Sequence, residues 1–151
     1  MYPTLVTFHV IFAGIWLSFF IIELVLRKQI EKNFEADKVS NYLMFSNTFG
    51  IIGSLGILAT GIFIVTMNSQ YGFFDMTSNH WLATKQIILL IILIITTSLV
   101  IPNSKEVREK LENKKLESID SGLKKLFRAN QIIHYMVLVN LIFAVTHRFY
   151  G

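Results

Sequence analysis

The sequence predicts an all-α membrane protein, a membrane-spanning bundle of four helices. Of its 151 residues, 53% are hydrophobic and only 16% are charged. A soluble domain of this size has about one quarter charged residues, so the shortage of charge is the informative number. The apolar residues fall into four segments, each close to the roughly 20 residues that a spanning helix needs. Twelve of the fourteen basic residues fall between these segments.

The four predicted spans are Pro3–Leu26, Tyr42–Met67, Trp81–Ile101 and Gln131–Phe149. Only His9 and Glu23 interrupt the first span. We expect this span to remain in the mature chain, because no basic region precedes it and no small-residue cleavage site follows it. Pro102 is expected to end the third span, since proline cannot continue a helix without losing a hydrogen bond.

The loops predict the orientation of the chain. Loop 27–40 contains Arg27, Lys28, Lys32 and Lys38, and loop 102–130 contains Lys105, Arg108, Lys110, Lys114, Lys115, Lys124, Lys125 and Arg128. Loop 68–80 has no basic residue. Basic loops stay in the cytoplasm, so we expect both termini outside a cell membrane. The net charge of +4 is then explained by topology, and nucleic acid is not an expected partner.

Segment 104–127 is predicted to be an amphipathic cytoplasmic helix. Its apolar residues recur at mostly helical spacing between charges. They are Val107, Leu111, Leu116, Ile119, Leu123 and Leu126. The segment is expected to lie on the inner membrane surface or to extend the fourth span. Membrane lipid is thus one expected partner.

Ionisable residues inside the spans are the candidate functional residues, because each costs roughly 2.5–3.5 kcal/mol in hydrocarbon. In the first span His9, Trp16 and Glu23 follow one another at intervals of seven, which places them on one face. Trp16 is predicted either to pack on a flat ligand or to fill the core. Glu23 lies one turn before Arg27, and we expect a local ion pair.

The histidines differ in their predicted depth in the membrane. At ~1.5 Å per residue, His9 lies roughly 9 Å and His147 only ~3 Å from the outer ends of their helices, whereas His134 lies ~22 Å down. His9 and His147 are therefore expected to face each other, with His134 as the alternative second ligand. Lys85 and Arg148 lie near the same rim, and Asn140 shares a face with His147.

Neutral imidazole binds iron, copper and zinc alike. The chain has no cysteine, which excludes disulfides, thiolate metal sites and covalently attached haem. A histidine pair without a carboxylate or thiolate beside it fits haem better than tetrahedral zinc. Hydrolase and phosphate-loop motifs are absent from the sequence.

Four short motifs resemble those of HemJ-type protoporphyrinogen IX oxidases and the wider group of CopD-like small membrane proteins. The motifs are Phe8-His9-Val10-Ile11-Phe12 with Trp16, Trp81-Leu82-Ala83-Thr84-Lys85, Arg128-Ala129-Asn130-Gln131 and His147-Arg148-Phe149. The resemblance implies a membrane protein that binds haem b, with His9 as a ligand and Lys85 as a functional cation. Thr84 and Ala83 stand where the family has histidine, and Gln131 where it has glutamate, so the resemblance extends to the cofactor and not to the reaction.

The expected function is therefore haem-linked electron transfer, or redox chemistry on a porphyrin or quinone. Site residues are His9, His147 and His134 for the metal, and Trp16, Lys85, Asn140 and Arg148 around the cofactor. Two alternatives stay open, a CopD-like protein that handles copper and a non-catalytic subunit of a membrane complex. The chain is also expected to form a homo-oligomer or to join such a complex.

Overall fold

The computed structural model describes residues 2–115 and 118–150, except for the side chains of 147–150. The helices are α1 Tyr2–Lys32, α2 Ala36–Met67, α3 His80–Ile95, α4 Ile101–Glu112 and α5 Ile119–Tyr150. A π-helical turn, Thr96–Val100, joins α3 to α4 without interruption. By length and composition, four continuous helices can cross a membrane, and no strand occurs in the described ranges. The predicted all-α membrane bundle is confirmed.

The helices are longer than the apolar segments that predicted them. Helix α1 has 31 residues, or ~46 Å, whereas the hydrocarbon core of a bilayer is only about 30 Å thick. Each helix continues by one or more turns at the end of the bundle that contains the basic loops, which we call the basic end. Backbone hydrogen bonding does not stop where apolar side chains stop, so hydropathy marks the span and not the whole helix.

The expectation that Pro102 ends the third helix is wrong, because the helix continues to Glu112. The wider π turn lies directly before the proline, and such turns accommodate an interrupted hydrogen-bond ladder. Hydroxyl groups in this turn also bond to carbonyls one turn earlier. Thr96 donates to Ile92 at 2.8 Å and Ser98 donates to Ile94 at 2.6 Å. Hydroxyls of this kind help membrane helices tolerate proline.

The predicted amphipathic segment 104–127 belongs to two helices rather than one. Its first part continues the third span as α4. Its last part begins α5, which agrees with the predicted alternative that the segment extends the fourth span. The apolar residues Val107, Ile119, Leu123 and Leu126 are all buried. Leu116 lies outside the described residues. The described apolar stripe therefore packs within the bundle and does not lie on the membrane surface.

The basic end of the bundle is the well-packed end. Helix α1 packs along α2, α5 packs on α1, α3 and α4, and α4 closes the ring against α2. At the opposite end, α3 makes few close approaches to the α1–α2 hairpin. Large apolar side chains such as Val10, Ile21 and Phe63 are more than half exposed, which in this protein marks the lipid-facing surface.

Glycines in α2 allow α1 to approach closely. A Cβ atom at Gly53 would lie 2.8 Å from the Trp16 Cβ, and one at Gly56 would overlap the Phe12 ring. Trp16 is 4% exposed. Trp16 therefore lies in the packed core, where its side chain occupies the space above Gly53.

The loop between α2 and α3 is organised by Asp75. Its carboxylate accepts hydrogen bonds from the Thr77 hydroxyl at 2.6 Å and from the Thr77 and Ser78 amides at 2.9 and 3.0 Å. These bonds, that from the Thr77 hydroxyl above all, hold the pKa of the Asp75 carboxyl well below its usual range. The loop thereby fixes the start of α3 at His80.

Candidate functional site

Polar side chains inside the spans form two separate clusters. The inner cluster, nearer the basic end, consists of Glu23, Tyr42, Ser46, Asn130 and His134. The outer cluster, nearer the loop 68–79, consists of His9, Thr60, Lys85 and Asn140. Along α1 the two clusters are 14 residues apart, from His9 to Glu23, which corresponds to ~21 Å.

The inner cluster is a continuous chain of contacts across three helices. Asn130 of α5 donates to the Tyr42 hydroxyl at 2.7 Å and to Ser46 of α2 at 3.1 Å. The Tyr42 hydroxyl donates to Glu23 Oε1 of α1 at 2.8 Å. Glu23 Oε2 lies 2.6 Å from Nδ1 of His134. All five side chains are at most 5% exposed.

The contact between Glu23 and His134 is close but poorly directed. The 2.6 Å separation is short enough for an ion pair, yet Nδ1 makes no well-aligned hydrogen bond. We describe it as a buried imidazole–carboxylate pair rather than as a directed hydrogen bond. The rings of Phe19 and Phe20 lie 5.3 and 5.2 Å from the imidazole and exclude water from it.

The expected ion pair between Glu23 and Arg27 is not formed. Arg27 instead bonds to Glu31 at 2.8 Å, one turn further along α1, and to Gln131 of α5 at 3.4 Å. Glu23 turns into the bundle because Tyr42 supplies a buried donor there. A local sequence interval could not detect this choice, since the competing partner is on another helix.

Asn130, Tyr42 and Ser46 were not among the predicted site residues. One signal was present, because Asn130 and His134 are four residues apart and so share a helix face. The cluster joins α1, α2 and α5 where the bundle is best packed. Its position gives it a structural role in holding those three helices in register.

In the outer cluster, His9 has a hydrogen-bonding partner at one of its two ring nitrogens. His9 Nδ1 lies 2.8 Å from the Thr60 hydroxyl, and that hydroxyl donates to the Gly56 carbonyl at 2.6 Å. In the tautomer that carries its proton on Nδ1, Thr60 accepts from Nδ1–H and the lone pair is on Nε2. A metal-binding histidine is commonly oriented in this way, by a partner on its other nitrogen.

Lys85 is the cation of the outer cluster. It is half-buried and close enough to His9 for an electrostatic interaction. Its ammonium lies 5.2 Å from the centre of the Trp81 ring. No carboxylate pairs with it in the part of the chain that the structure describes. A half-buried cation in a membrane span, with no anion among the described residues, is a site at which an anionic group can bind.

Two amides beside Lys85 have buried atoms without partners. Asn140 donates to the Lys85 carbonyl at 3.4 Å, but its Oδ1 has no donor. Gln86 accepts from the Phe74 amide at 2.6 Å, while its Nε2 has no acceptor. Buried polar atoms are nearly always paired in proteins, so these two atoms indicate a missing polar neighbour.

The structure thus brings together three of the predicted site residues, His9, Lys85 and Asn140. It places His134 in the other cluster, too far from His9 for the two to bind one metal ion. His147 and Arg148 fall in the last turn of α5, and their side chains lie outside the described residues.

The donor set distinguishes between metal types. Within the described residues there is no group of three or more histidine, aspartate or glutamate side chains that could hold a bare metal ion. A haem needs only one or two axial ligands, since the porphyrin supplies the other four. His9 could bind a haem iron through Nε2, and Lys85, which has no carboxylate partner among the described residues, could bind a haem propionate.

The fold and composition define the class of protein, a multi-pass all-α membrane protein. No family model, no curated protein sequence and no solved structure matches the chain significantly.

Proposed function

We propose that this chain is a haem b protein of the cell membrane that transfers electrons, with His9 as an axial ligand through Nε2. The observation that supports it most directly is the Thr60 hydroxyl, which lies 2.8 Å from Nδ1 of His9 and orients the imidazole. The haem would supply the electron-accepting iron. The protein would supply the ligand, the cation and an apolar surrounding.

Lys85 would pair with a propionate, and Asn140, whose buried Oδ1 has no donor among the described residues, would accept a hydrogen bond from a water beside the bound group. His147 and Arg148 would complete the site as second ligand and second cation. Quinone or porphyrin are the electron-exchanging partners with chemistry suited to a membrane site. The proposal includes oxidation or reduction of such a partner as a class of reaction, of which protoporphyrinogen oxidation is one example.

The test is the absorption spectrum of the protein purified from haem-replete cells, oxidised and dithionite-reduced. We expect a Soret band in the wild type and its loss in His9→Ala. His80→Ala is the matched control, because His80 is an exposed histidine at the start of α3 and belongs to neither cluster. Thr60→Val should keep the bundle intact and weaken haem retention about 10–100-fold, the usual effect of removing an orienting partner.

A colourless wild-type protein, or a His9→Ala variant that keeps its full Soret band, would refute the proposal. Elemental analysis of the same samples separates the alternatives. Copper in place of iron would favour a protein that handles copper. A preparation free of both that copurifies with other membrane proteins would favour a non-catalytic subunit.

A further inference from the structure

A groove at the basic end lies between α1 and α5. It has a volume of about 760 Å³ and is lined by the last turns of α1 and the first turns of α5. The apolar part of its lining includes Ile30, Phe34 and Phe127, and the polar part is made almost entirely of charged side chains. We call it the α1–α5 groove. Its lining includes no residue of either polar cluster, so binding in this groove is independent of the proposed haem.

The groove has an excess of positive charge. Its cations are Arg27, Lys124, Lys125 and Arg128, and its carboxylates are Glu31 and Asp120. Each carboxylate is engaged by one cation, Glu31 by Arg27 at 2.8 Å and Asp120 by Lys124 at 2.5 Å. Lys125 and Arg128 are exposed and make no ion pair among the described residues. Lys125 interacts electrostatically with Glu106 of α4, but that carboxylate lies outside the groove and is already bound by Lys110 at 2.6 Å. Two cations are therefore available to an anion.

The groove lies at the level where the chain leaves the membrane. The apolar part of α1 ends at Leu26, directly before Arg27, and the apolar part of α5 begins at Ile132. Arg27 is connected to Gln131 at 3.4 Å, which sets these two helix positions side by side. The cations consequently lie at the depth of the lipid headgroups, and the apolar wall adjoins the acyl chains.

We propose that the α1–α5 groove binds the headgroup of an anionic phospholipid, with Lys125 and Arg128 contacting its phosphate. Basic pockets between transmembrane helices on the cytoplasmic side have the chemistry that anionic headgroups require. The ring of Phe127, which lies 5.4 Å from the Arg27 guanidinium, forms the apolar wall beside the first acyl carbons. A zwitterionic headgroup has no net charge to offer and binds more weakly.

The experiment measures lipid binding to the full-length protein in detergent by native mass spectrometry. Phosphatidylglycerol and phosphatidylcholine with identical acyl chains are the two probes. We expect the wild type to prefer phosphatidylglycerol by at least about tenfold. The double variant Lys125→Ala/Arg128→Ala should lose about 30-fold in affinity for phosphatidylglycerol, the effect of two cations near a membrane surface.

The matched control is Lys105→Ala/Arg108→Ala, which removes the same two residue types at the same spacing from α4, outside the groove. Its affinity should stay within about threefold of the wild type. Equal losses in both double variants would mean attraction by net charge alone and would overturn the proposal. So would equal binding of the two lipids by the wild type. Far-UV circular dichroism verifies folding, and the exposed single variant Lys125→Ala serves if the double variant unfolds.

Discussion

Replacing Glu23 with alanine should destabilise the bundle more than any other single change of an acidic residue. The substitution removes the acceptor of the Tyr42 hydroxyl, now at 2.8 Å, and the carboxylate 2.6 Å from His134. Both remaining groups are essentially inaccessible to solvent, with Tyr42 0% and His134 2% exposed. Neither can turn to water: the Tyr42 hydroxyl keeps the hydrogen bond from Asn130 but loses its acceptor, and His134 loses its carboxylate.

The expected loss follows from these two groups. A buried polar group that loses its hydrogen-bonding partner costs about 1–3 kcal/mol in a soluble protein, and Glu23→Ala affects two such groups. Hydrogen bonds within membrane proteins average only about 0.6 kcal/mol, because the unfolded chain in the membrane also finds partners. Combining these limits, we expect Glu23→Ala to reduce the free energy of unfolding by about 2–4 kcal/mol.

The assay is reversible unfolding in mixed micelles with increasing dodecyl sulfate, followed by tryptophan fluorescence. Glu31→Ala is the matched control, because it removes the same side chain two turns later, from an exposed pair with Arg27. Its effect should be below about 1 kcal/mol. Glu23→Gln, which retains an acceptor for Tyr42, should fall between the two. If Glu23→Ala and Glu31→Ala were equally stable, the inner cluster would not hold the helices together.

Two further predictions concern packing and topology. Gly56→Ala should reduce stability by about 1–3 kcal/mol in the same assay, since the added methyl group overlaps an α1 ring, whereas Gly14→Ala, with nothing within 4 Å, should not; equal effects would contradict the close α1–α2 contact. The chain has no cysteine, so a single introduced cysteine is the only thiol that a maleimide can label, and its labelling shows on which side of the membrane it lies. A membrane-impermeant maleimide should label Ser78→Cys in intact cells and Ser118→Cys only after permeabilisation, and the reverse pattern would invert the predicted orientation.

The fold could be predicted because hydropathy is local and strong. In hydrocarbon every backbone polar group must bond within its own segment, so a long apolar stretch has little choice but to be a helix. The errors in the predicted helix boundaries concerned the parts of the chain that lie outside the hydrocarbon core. The effect of Pro102 was misjudged because a π turn, which depends on the conformation of the preceding residues, keeps the helix continuous.

The candidate site was predictable only in part. His9, Lys85 and Asn140 were identified because polar residues in apolar spans are conspicuous, and depth arithmetic placed the first two near one end. The inner cluster was not identified as a unit, since its contacts join residues from 19 positions apart, Glu23 and Tyr42, to 111 positions apart, Glu23 and His134. Tyr42 in particular looks like an ordinary span-end aromatic until its helix is set against α1 and α5.

Four membrane-spanning helices could be predicted from the sequence alone, because the free energy of placing residues in hydrocarbon is nearly a sum over residues. Which side chains of those helices meet was decided only by the tertiary structure. Helix rotation and spacing depend on packing, here of Trp16 and Phe12 over the α2 glycines, and a small rotation decides whether Glu23 faces Arg27 or Tyr42. Contacts between helices are joint properties of several segments, and no single segment contains that information.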